Sequence, residues 1–239
     1  MIRGILGALK GTIFHPQWLS DRYHVLSKKS LRKLQNSLIL DIGSGNSSYL
    51  SEIHPSNAFY TLDYPDTNEM YGVRPNVFGD ARYLPVGNDA LDVVLLFEVL
   101  EHVKDTEKVL NEIRRVLRPG GQLFISVPFI YPIHDAPNDY WRFTIFGIEN
   151  TLEKHDFEVI ESSVHGNTLI AGLQMINLGL LEMCRDIFRI NGLFGVLSAV
   201  PVYPFTIVIN FLAWPLINLG LGKAGNFGCF LMAKRKFVN

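Results

Sequence analysis

The sequence predicts an α/β protein built on a doubly wound, mostly parallel sheet, with an apolar helical extension at its C-terminal end. Short apolar runs of strand length alternate with a helical pattern in the first half of the chain. Glycine-containing turns and acidic residues follow these runs, at the edge where sheets of this kind bind ligands. A long stretch without charged residues in the last third of the chain predicts the extension.

Four apolar runs have the length of buried strands. They span residues 37–42, 58–62, 91–97 and 122–127. Between the last two, apolar residues recur at helical spacing over 103–117, with Asp105 placed to cap the helix and Pro119, Gly120 and Gly121 placed to stop it. A helix crossing between two strands makes those strands parallel, so the loops after each strand should share one edge of the sheet.

The composition narrows the class of protein. A chain of 239 residues can form one domain of ordinary size plus an accessory segment. With 22 Lys and Arg against 23 Asp and Glu, the chain has no basic footprint, and we expect no nucleic-acid partner. Cys184 and Cys229 are far apart, which indicates neither a disulfide scaffold nor a zinc site and fits a cytoplasmic protein.

The first strand is followed by a turn with two glycines, Gly43 and Gly45, which allow the backbone to approach a ligand. Asp41 stands at the end of that strand. Its carboxylate would repel the pyrophosphate of a dinucleotide and attract the ammonium of a methionine moiety. Ser48 also stands where a dinucleotide fingerprint requires glycine. The sequence therefore favours S-adenosylmethionine over NAD as the cofactor.

Two further acidic residues follow later strands. Asp63 closes the second strand, about where this topology places a carboxylate for a ribose diol. Asp80, followed by Ala81, lies in the next loop, where it could accept a hydrogen bond from an adenine amino group. Acids from three loops would then hold one ligand.

The motifs resemble those of class I S-adenosylmethionine-dependent methyltransferases, and they occur in the order of that family. They are Leu40-Asp41-Ile42-Gly43-Ser44-Gly45, Asp63, Gly79-Asp80-Ala81, Leu84-Pro85, Phe97-Glu98-Val99-Leu100-Glu101-His102-Val103 and Leu117-Arg118-Pro119-Gly120-Gly121. The resemblance implies a Rossmann-like class I methyltransferase fold, S-adenosylmethionine as cofactor and methyl transfer as the activity. It departs from the family at Ser47, where a third glycine is common.

The resemblance also implies a set of cofactor-binding residues. They are Asp41, Gly43, Gly45, Asp63, Asp80, Ala81, Phe97 and Glu98. Each has a simpler structural interpretation: the glycines could form a tight turn, and the acids could cap turns or face solvent. His102 could brace the start of its helix, and Glu101 is expected on a solvated face. The ordered combination of motifs favours the cofactor interpretation.

Residues 128–145 form a segment rich in proline and aromatic residues, at the position where a substrate should enter. It resembles a Tyr-Pro-x-His, then Asp-Tyr-Trp-Arg-Phe-Thr, pattern of bacterial methyltransferases. We predict His134 and Asp139 as catalytic residues, since histidine can accept a proton near neutral pH. His134 could equally be a substrate ligand or a structural residue bonded within the loop.

Three further residues of this segment are predicted to contact the substrate: Tyr131, Tyr140 and Arg142. Packing and ion pairing within the segment would explain Tyr140 and Arg142 as well. We expect no metal site, because His134, Asp135 and Asp139 lack a fuller cluster of ligands around them.

The predicted organisation has three parts: a helical N-terminal cover over 1–36, a cofactor-binding core over 37–165 that includes the segment 128–145, and an apolar helical segment over 166–239. Phe14, His15, Trp18 and Tyr23 could cover the cofactor, although ordinary core packing explains them equally well.

The apolar segment contains no charged residue between 190 and 222. Pro201, Pro204 and Pro215 interrupt it, and basic residues flank both ends. These features favour an interfacial hairpin at the inner face of a membrane over a single crossing. A lid over the pocket or a dimer surface is the alternative without a membrane.

The predicted function is methyl transfer from S-adenosylmethionine to a small or lipid-linked acceptor, at oxygen, by a cytoplasmic protein attached to the inner membrane face. The alternative is a noncatalytic scaffold or regulator that keeps the cofactor fold. The sequence leaves open the substrate, the acceptor atom, which could also be nitrogen or carbon, and the oligomeric state.

Overall fold

The computed structural model describes residues 9–21, 30–45, 47, 49–66, 72, 74–217, 222 and 224–237. The strands are β1 (Leu38–Ile42), β2 (Ala58–Asp63), β3 (Val77–Phe78), β4 (Leu91–Phe97), β5 (Leu117–Pro128), β6 (Phe157–His165) and β7 (Gly228–Arg235). The α-helices are α1 (Trp18–Asp21), α2 (Thr106–Val116), α3 (Ile145–Lys154), α4 (Thr168–Ile190) and α5 (Gly192–Ala213). Short 3₁₀ helices span Leu50–Glu52, Leu100–His102 and Trp214–Leu216.

The strands form one sheet in the order β3-β2-β1-β4-β5-β7-β6. β1 to β5 pair in parallel, and β7 pairs antiparallel with β5. The direction of winding reverses between β1 and β4, which lie side by side at the centre. In an open sheet of this kind the crevice beyond the carboxyl ends of those two strands is the ligand-binding position. The predicted fold class, a doubly wound and mostly parallel sheet, is confirmed.

The central strands are buried on both faces, because successive side chains of a strand point to opposite sides. Leu40 and Ile42 of β1 belong to the core on one side, whereas Ile39 belongs to the core on the other. On β4, Leu96 and Leu95 divide in the same way. This explains why the strands read as continuous apolar runs rather than as alternating patterns.

Helix α2 matches the predicted crossing helix. The carboxylate of Asp105 accepts a hydrogen bond from the backbone N–H of Lys108 at 3.1 Å, which caps the first turn. Four apolar side chains on one face of the helix are buried: Val109, Leu110, Ile113 and Val116. The helix thus packs on the sheet between the two strands it connects.

Three strands lay outside the predicted runs: β3, β6 and β7. The last of these corrects the prediction of a helical segment over 166–239, because residues 228–235 form a strand inside the sheet. The first six residues of β7 are apolar and five of them are buried, which is typical of a strand in the interior of a sheet. The apolar run of β7 was assigned to the same helical segment as the longer hydrophobic stretch before it.

The described chain divides into two compact units. The sheet unit contains residues 26–129, 133–163 and 228–239. The hairpin unit contains residues 1–25, 130–132 and 164–227. Residues 1–8 and 22–29 of the predicted N-terminal cover, which include Tyr23, lie outside the described residues.

The hairpin unit is built on α4 and α5. The side chain of Asn191 caps α5 by accepting hydrogen bonds from the backbone N–H groups of Leu193 and Phe194. A buried hydrogen bond from Asn177 Nδ2 to Asn210 Oδ1, 3.1 Å long, joins the two helices. Pro201 and Pro204 lie inside α5 rather than ending it. The helical character predicted for this part of the tail is therefore present.

Helix α5 and the turn after it are long and apolar enough to cross a membrane, by length and composition alone, over Gly192–Leu216. Only 17% of its most apolar window is buried. Its exposed apolar side chains are Leu193, Phe194, Val196, Leu197, Val200, Phe205, Val208, Phe211, Leu212 and Trp214.

Candidate active site

The turn after β1 has a shape that only glycine accommodates. Gly43 has a φ of +69°, and a Cβ atom placed there would lie 2.3 Å from Cγ2 of Val99. Its N–H donates to the carbonyl of Leu62 at 2.8 Å, which holds the turn against the end of β2. Gly43 therefore fixes the path of the backbone, as predicted for a glycine at a close approach.

Gly45 has a different environment from Gly43. Its φ is +45°, yet a Cβ atom there would meet nothing within 4 Å among the residues that the structure describes. Its N–H donates to Oδ2 of Asp63 at 2.8 Å. One side of this turn is thus open and can receive a ligand, while the other side is attached to the acid at the end of β2.

Asp41 is fully buried at the end of β1. One carboxylate oxygen accepts a hydrogen bond from the Tyr49 hydroxyl at 2.6 Å, and the other accepts one from Ser47 Oγ at 2.8 Å. Burial raises the pKa of Asp41 to about 7, although these two donors act in the opposite direction. A cationic group brought next to Asp41 would favour its ionised form.

Asp63 holds the turn from the neighbouring strand. Its Oδ2 atom accepts a hydrogen bond from the N–H of Gly45, and its Oδ1 atom accepts one from the N–H of Tyr64 at 2.8 Å. Each carboxylate oxygen has a second lone pair, so Asp63 retains the capacity to accept hydrogen bonds from a diol. Asp63 therefore lies at the end of β2 beside the glycine turn, and its ribose-binding role stays a prediction.

Asp80 lies in the loop after β3 and is already paired. Arg82 reaches it with Nη2 at 2.6 Å from Oδ2 and with Nε at 3.0 Å from Oδ1. This hydrogen-bonded pair lowers the pKa of Asp80, so the carboxylate is ionised near neutral pH. Ala81 beside it is buried. The pairing with Arg82 was not visible as a signal in the sequence.

Phe97 and Glu98 stand at the carboxyl end of β4. The ring of Phe97 packs edge-on against Tyr49, with centroids 5.1 Å apart. Glu98 has a φ of +53°, and its Oε1 atom accepts a hydrogen bond from Ser126 Oγ at 2.7 Å. Tyr49 therefore joins the ends of β1 and β4, because it contacts both Asp41 and Phe97.

The predicted catalytic pair is formed in the structure. The backbone N–H of His134 donates to Asp139 Oδ2 at 2.8 Å, and the Nδ1 atom of the same histidine lies 3.3 Å from that oxygen. Asp139 also accepts hydrogen bonds from both terminal nitrogens of Arg142, from Nη1 to Oδ1 at 2.5 Å and from Nη2 to Oδ2 at 2.7 Å. These contacts, led by that with Arg142, lower the pKa of Asp139 to about 2. An ionised Asp139 therefore orients the imidazole of His134.

The segment that carries this pair is attached to the 3₁₀ helix after β4. The N–H of Tyr140 donates to the carbonyl of Glu101 at 2.8 Å, and the indole N–H of Trp141 donates to the carbonyl of Val103 at 3.0 Å. His102 Nδ1 lies 2.6 Å from the carbonyl of Asn138. His134 and the residues after β4 are therefore held side by side.

Glu101 corrects the sequence analysis, which placed it on a solvated face. Its side chain is completely buried, and its carboxylate lies 3.7 Å from Nε2 of His102. Burial, followed by the charge of Glu98, raises the pKa of Glu101 well above its usual range. The helical spacing of apolar residues begins only after this position, so the pattern carried no signal of its burial.

The structure distributes the remaining predicted residues over both units. Tyr140 and Arg142 belong to the sheet unit, where the Tyr140 hydroxyl donates to Asn138 Oδ1 at 2.9 Å. Tyr131 belongs to the hairpin unit, where its hydroxyl accepts a hydrogen bond from Gln17 at 3.4 Å. Three contributors that the sequence analysis missed are the partners of Asp41 and Gly43: Ser47, Tyr49 and Val99.

The geometry defines a nucleotide-binding α/β domain with its site at the switch point between β1 and β4. Residues 40–125 match a family model described as a methyltransferase domain. Residues 40–125 are therefore a methyltransferase domain, which confirms the predicted class of protein and S-adenosylmethionine as its cofactor.

Known proteins resemble parts of this chain. An uncharacterized methyltransferase of Mycobacterium ulcerans is 29% identical over 131 residues, which cover 52% of this chain and 48% of the relative. A demethylmenaquinone methyltransferase of Mycolicibacterium paratuberculosis is 34% identical over 91 residues, which cover 36% of this chain and 40% of the relative. The chain spans about half the length, or less, of these curated relatives.

The fold is shared with solved structures at low identity. A S-adenosylmethionine-dependent methyltransferase from Mesorhizobium loti is 15% identical with a TM-score of 0.52, covering 92% of this chain and 98% of that one. The [4+2]-cyclase SpnF is 17% identical with a TM-score of 0.55, covering 91% of this chain and 81% of that one. These likenesses establish the fold and leave the reaction to be argued from the site.

Proposed function

We propose that this chain transfers the methyl group of S-adenosylmethionine to an oxygen of a small or lipid-linked acceptor. One observation carries the proposal: an open glycine turn, flanked by the carboxylates of Asp41 and Asp63, lies in the same unit as an oriented His134–Asp139 pair. The first group suits a cationic nucleoside, and the second suits an acceptor that must lose a proton.

The reaction is a displacement at carbon. A bond forms between the acceptor oxygen and the methyl carbon as the carbon–sulfur bond breaks, and its electron pair stays on sulfur. The acceptor's proton must leave for a neutral ether or ester to result. We assign the handling of that proton to His134, which Asp139 orients, while Tyr140 and Arg142 position the acceptor.

The protein's main contribution to this reaction is alignment. Holding two reactants in line is worth on the order of 7 kcal/mol or more in favourable cases. Val99 supports the turn at Gly43, and the segment 138–141 is attached to the 3₁₀ helix after β4. Both reactants would therefore be held by backbone that follows the central strands.

Calorimetry with S-adenosylmethionine and with its demethylated product tests the first half of the proposal. We expect both to bind the intact protein, whereas a noncatalytic scaffold that has lost the cofactor site should bind neither. Transfer of a radiolabelled methyl group into fractionated lipid and glycan extracts tests the second half. Label that enters only protein would contradict a small or lipid-linked acceptor.

We further propose that the hairpin unit attaches the protein to the inner face of a membrane, which would bring a lipid-linked acceptor within reach. The support is the row of exposed apolar side chains on α5, since soluble proteins seldom expose a continuous apolar face of that size. Arg185 and Arg189 on the preceding helix pair with Glu182 and Asp186. Apolar area, more than basic charge, would therefore drive attachment.

A flotation experiment tests membrane attachment. Truncation at Arg189 is unsuitable, because it would remove β7 from the sheet. We instead expect the intact protein to float with phosphatidylethanolamine–phosphatidylglycerol vesicles and the double variant Val200→Glu, Leu212→Glu to remain unbound. Phe146→Glu is the matched control, since Phe146 is an equally exposed apolar residue in the sheet unit. Failure of the intact protein to float would overturn the proposal.

A further inference from the structure

A cluster of three side chains lies beside the predicted catalytic pair. Glu101, His102 and His134 each offer one ligand atom, and these atoms all lie within 4.8 Å of one another. The rings of the two histidines meet edge-on, with centroids 4.8 Å apart. Ligand atoms around one metal ion are separated by roughly 3 to 4 Å when each bond is about 2.1 Å, so small side-chain movements would close the set.

Glu101 points to a missing positive partner. Its side chain is completely buried, and no hydrogen-bond donor among the described residues reaches either carboxylate oxygen. Buried carboxylates are costly unless they are paired or coordinate a metal. Arg142, the cation in its surroundings, is engaged by both oxygens of Asp139. A ligand cation would satisfy Glu101 where the protein's own side chains do not.

His102 presents the matching nitrogen. Its Nδ1 atom lies 2.6 Å from the carbonyl of Asn138, an acceptor, so Nδ1 is the donor in this contact and Nε2 is the nitrogen left for a metal. Nε2 then presents a lone pair at 3.7 Å from Glu101 Oε1. That separation is too long for a hydrogen bond, and a divalent cation between the two atoms would be attracted to both.

The histidines also have the supporting contacts of metal ligands. In such histidines the ring N–H that does not bind the metal usually donates a hydrogen bond to a carbonyl or a carboxylate, which fixes the orientation of the ring. The Asn138 carbonyl does this for His102, and Asp139 does it for His134. The Asp139 carboxylate is in turn held by Arg142, so the orientation of His134 is fixed by a further layer.

We propose that Glu101, His102 and His134 bind a divalent transition-metal ion. Two imidazole nitrogens and one carboxylate oxygen suit Zn²⁺, Mn²⁺ or Fe²⁺ better than Mg²⁺ or Ca²⁺, which prefer oxygen ligands. Three protein ligands leave an open position on the ion, as in catalytic metal sites. The sequence analysis expected no metal because it considered only His134 with Asp135 and Asp139, and not the residues after β4.

This inference deepens the proposed function at the same site, and its role in catalysis rests on that function. With a metal bound, an acceptor hydroxyl at the open position would have its pKa lowered by the ion and would lose its proton to solvent near neutral pH. Both ring nitrogens of His134 would then be engaged, one by the ion and one by Asp139, so His134 would act on that proton through the ion and not as its acceptor. Metal binding itself is independent of methyl transfer and can be measured without S-adenosylmethionine or acceptor.

The test is calorimetric titration of the intact, chelator-treated protein with Zn²⁺ and separately with Mn²⁺. We expect one ion per chain, with a rise in thermal midpoint on binding. Glu101→Gln keeps the volume of the side chain, and it should weaken binding about 100-fold or more by removing a ligand. Asp139→Asn, which weakens the support of His134 without removing a ligand, should weaken it about 10- to 100-fold.

Two variants keep the result interpretable. His134→Gln should lose binding, whereas His155→Gln should not, since His155 bonds to Asn111 and lies outside the cluster. Unchanged affinity in both Glu101→Gln and His134→Gln, or no uptake by the intact protein, would overturn the inference. Binding of S-adenosylmethionine to the chelator-treated protein is measured in parallel. Binding there would support the proposed function even if the protein takes up no metal.

Discussion

The two sides of the candidate active site are held in different ways. On the cofactor side, the turn at Gly43 and Gly45 is fixed by backbone geometry and by backbone N–H groups bonded to the end of β2. On the acceptor side, His134 is fixed by the ion pair of Asp139 with Arg142. The cofactor side should therefore be sensitive to added side-chain volume, and the acceptor side to the removal of a charge.

The largest effect is expected on the acceptor side. His134→Ala and Asp139→Ala should each lower the turnover of methyl transfer by about 10²- to 10⁴-fold, the usual contribution of proton handling. The affinity for S-adenosylmethionine should stay near that of the unaltered protein, as measured by calorimetry. Unchanged turnover in both variants would remove these residues from the chemistry.

Gly43→Ala should be the most damaging change on the cofactor side. The new methyl group meets Val99, at a cost of roughly 1 to 3 kcal/mol for overpacking. The left-handed backbone adds about 1 to 2 kcal/mol. Gly45→Ala is the matched control, because it carries only the second cost. Chemical denaturation of both variants checks this, and equal losses of stability would argue against the contact with Val99.

Asp63→Ala should weaken cofactor binding before it affects turnover at saturating cofactor. The expected loss is about 1.5 to 3 kcal/mol, the value of hydrogen bonds to a charged acceptor. Part of this loss would come through Gly45, whose N–H loses its partner. Calorimetry measures it, with Asp66→Ala as a control in the loop that follows. A loss confined to turnover would contradict a cofactor-binding role.

The smallest expected effect is a dependence of stability and of cofactor affinity on pH, caused by the titration of Asp41. Its pKa is about 7 in the folded protein and 3.8 ordinarily, so the folded state binds the extra proton between those values. Stability from this group therefore falls as the pH rises from about 4 to 7. Cofactor affinity should move in the opposite direction, rising about tenfold from pH 6 to 7.5 as the carboxylate ionises.

Asp41→Asn should abolish that rise, and the same titration of Asp63→Asn should retain it. The titratable groups that face Asp41 are the Tyr49 hydroxyl and Asp63. Burial and the charge of Asp41 raise the pKa of Tyr49, so that hydroxyl stays neutral over this range. A slope that persists in Asp41→Asn would assign the pH dependence to another group.

The cofactor side was more predictable from the sequence because its signals are local. Asp41, Gly43 and Gly45 follow one strand, and the restrictions on each arise within that turn or from the next strand. Four of the seven strands were also predicted, since each is an apolar run bounded by turn residues. Three strands were missed. β3 has only two residues, β6 is half-exposed, and β7 follows a long hydrophobic stretch from which its own apolar run was not distinguished.

The acceptor side was less predictable because its contacts join distant parts of the chain. Residues 133–142 contain a recognisable set of titratable groups, but the contacts of Asp139 with His134 and Arg142 are visible only in the structure. The sequence could not indicate that Glu101 is buried or that His102 faces His134, because both facts depend on tertiary packing. The Asp80–Arg82 pair on the cofactor side was missed for a different reason: two charges two positions apart in the sequence do not reveal how their side chains are oriented.

The position of β7 in the sheet has a consequence for how the chain matures. β7 lies between β5 and β6, but it follows the whole helical hairpin in the chain. During synthesis, the edge of β5 that pairs with β7 therefore stays unpaired until α4, α5 and then β7 have been made. Such an edge can pair with other chains. A ribosome that stalls within the hairpin would leave an aggregation-prone intermediate, while release of the last strand would seal the sheet.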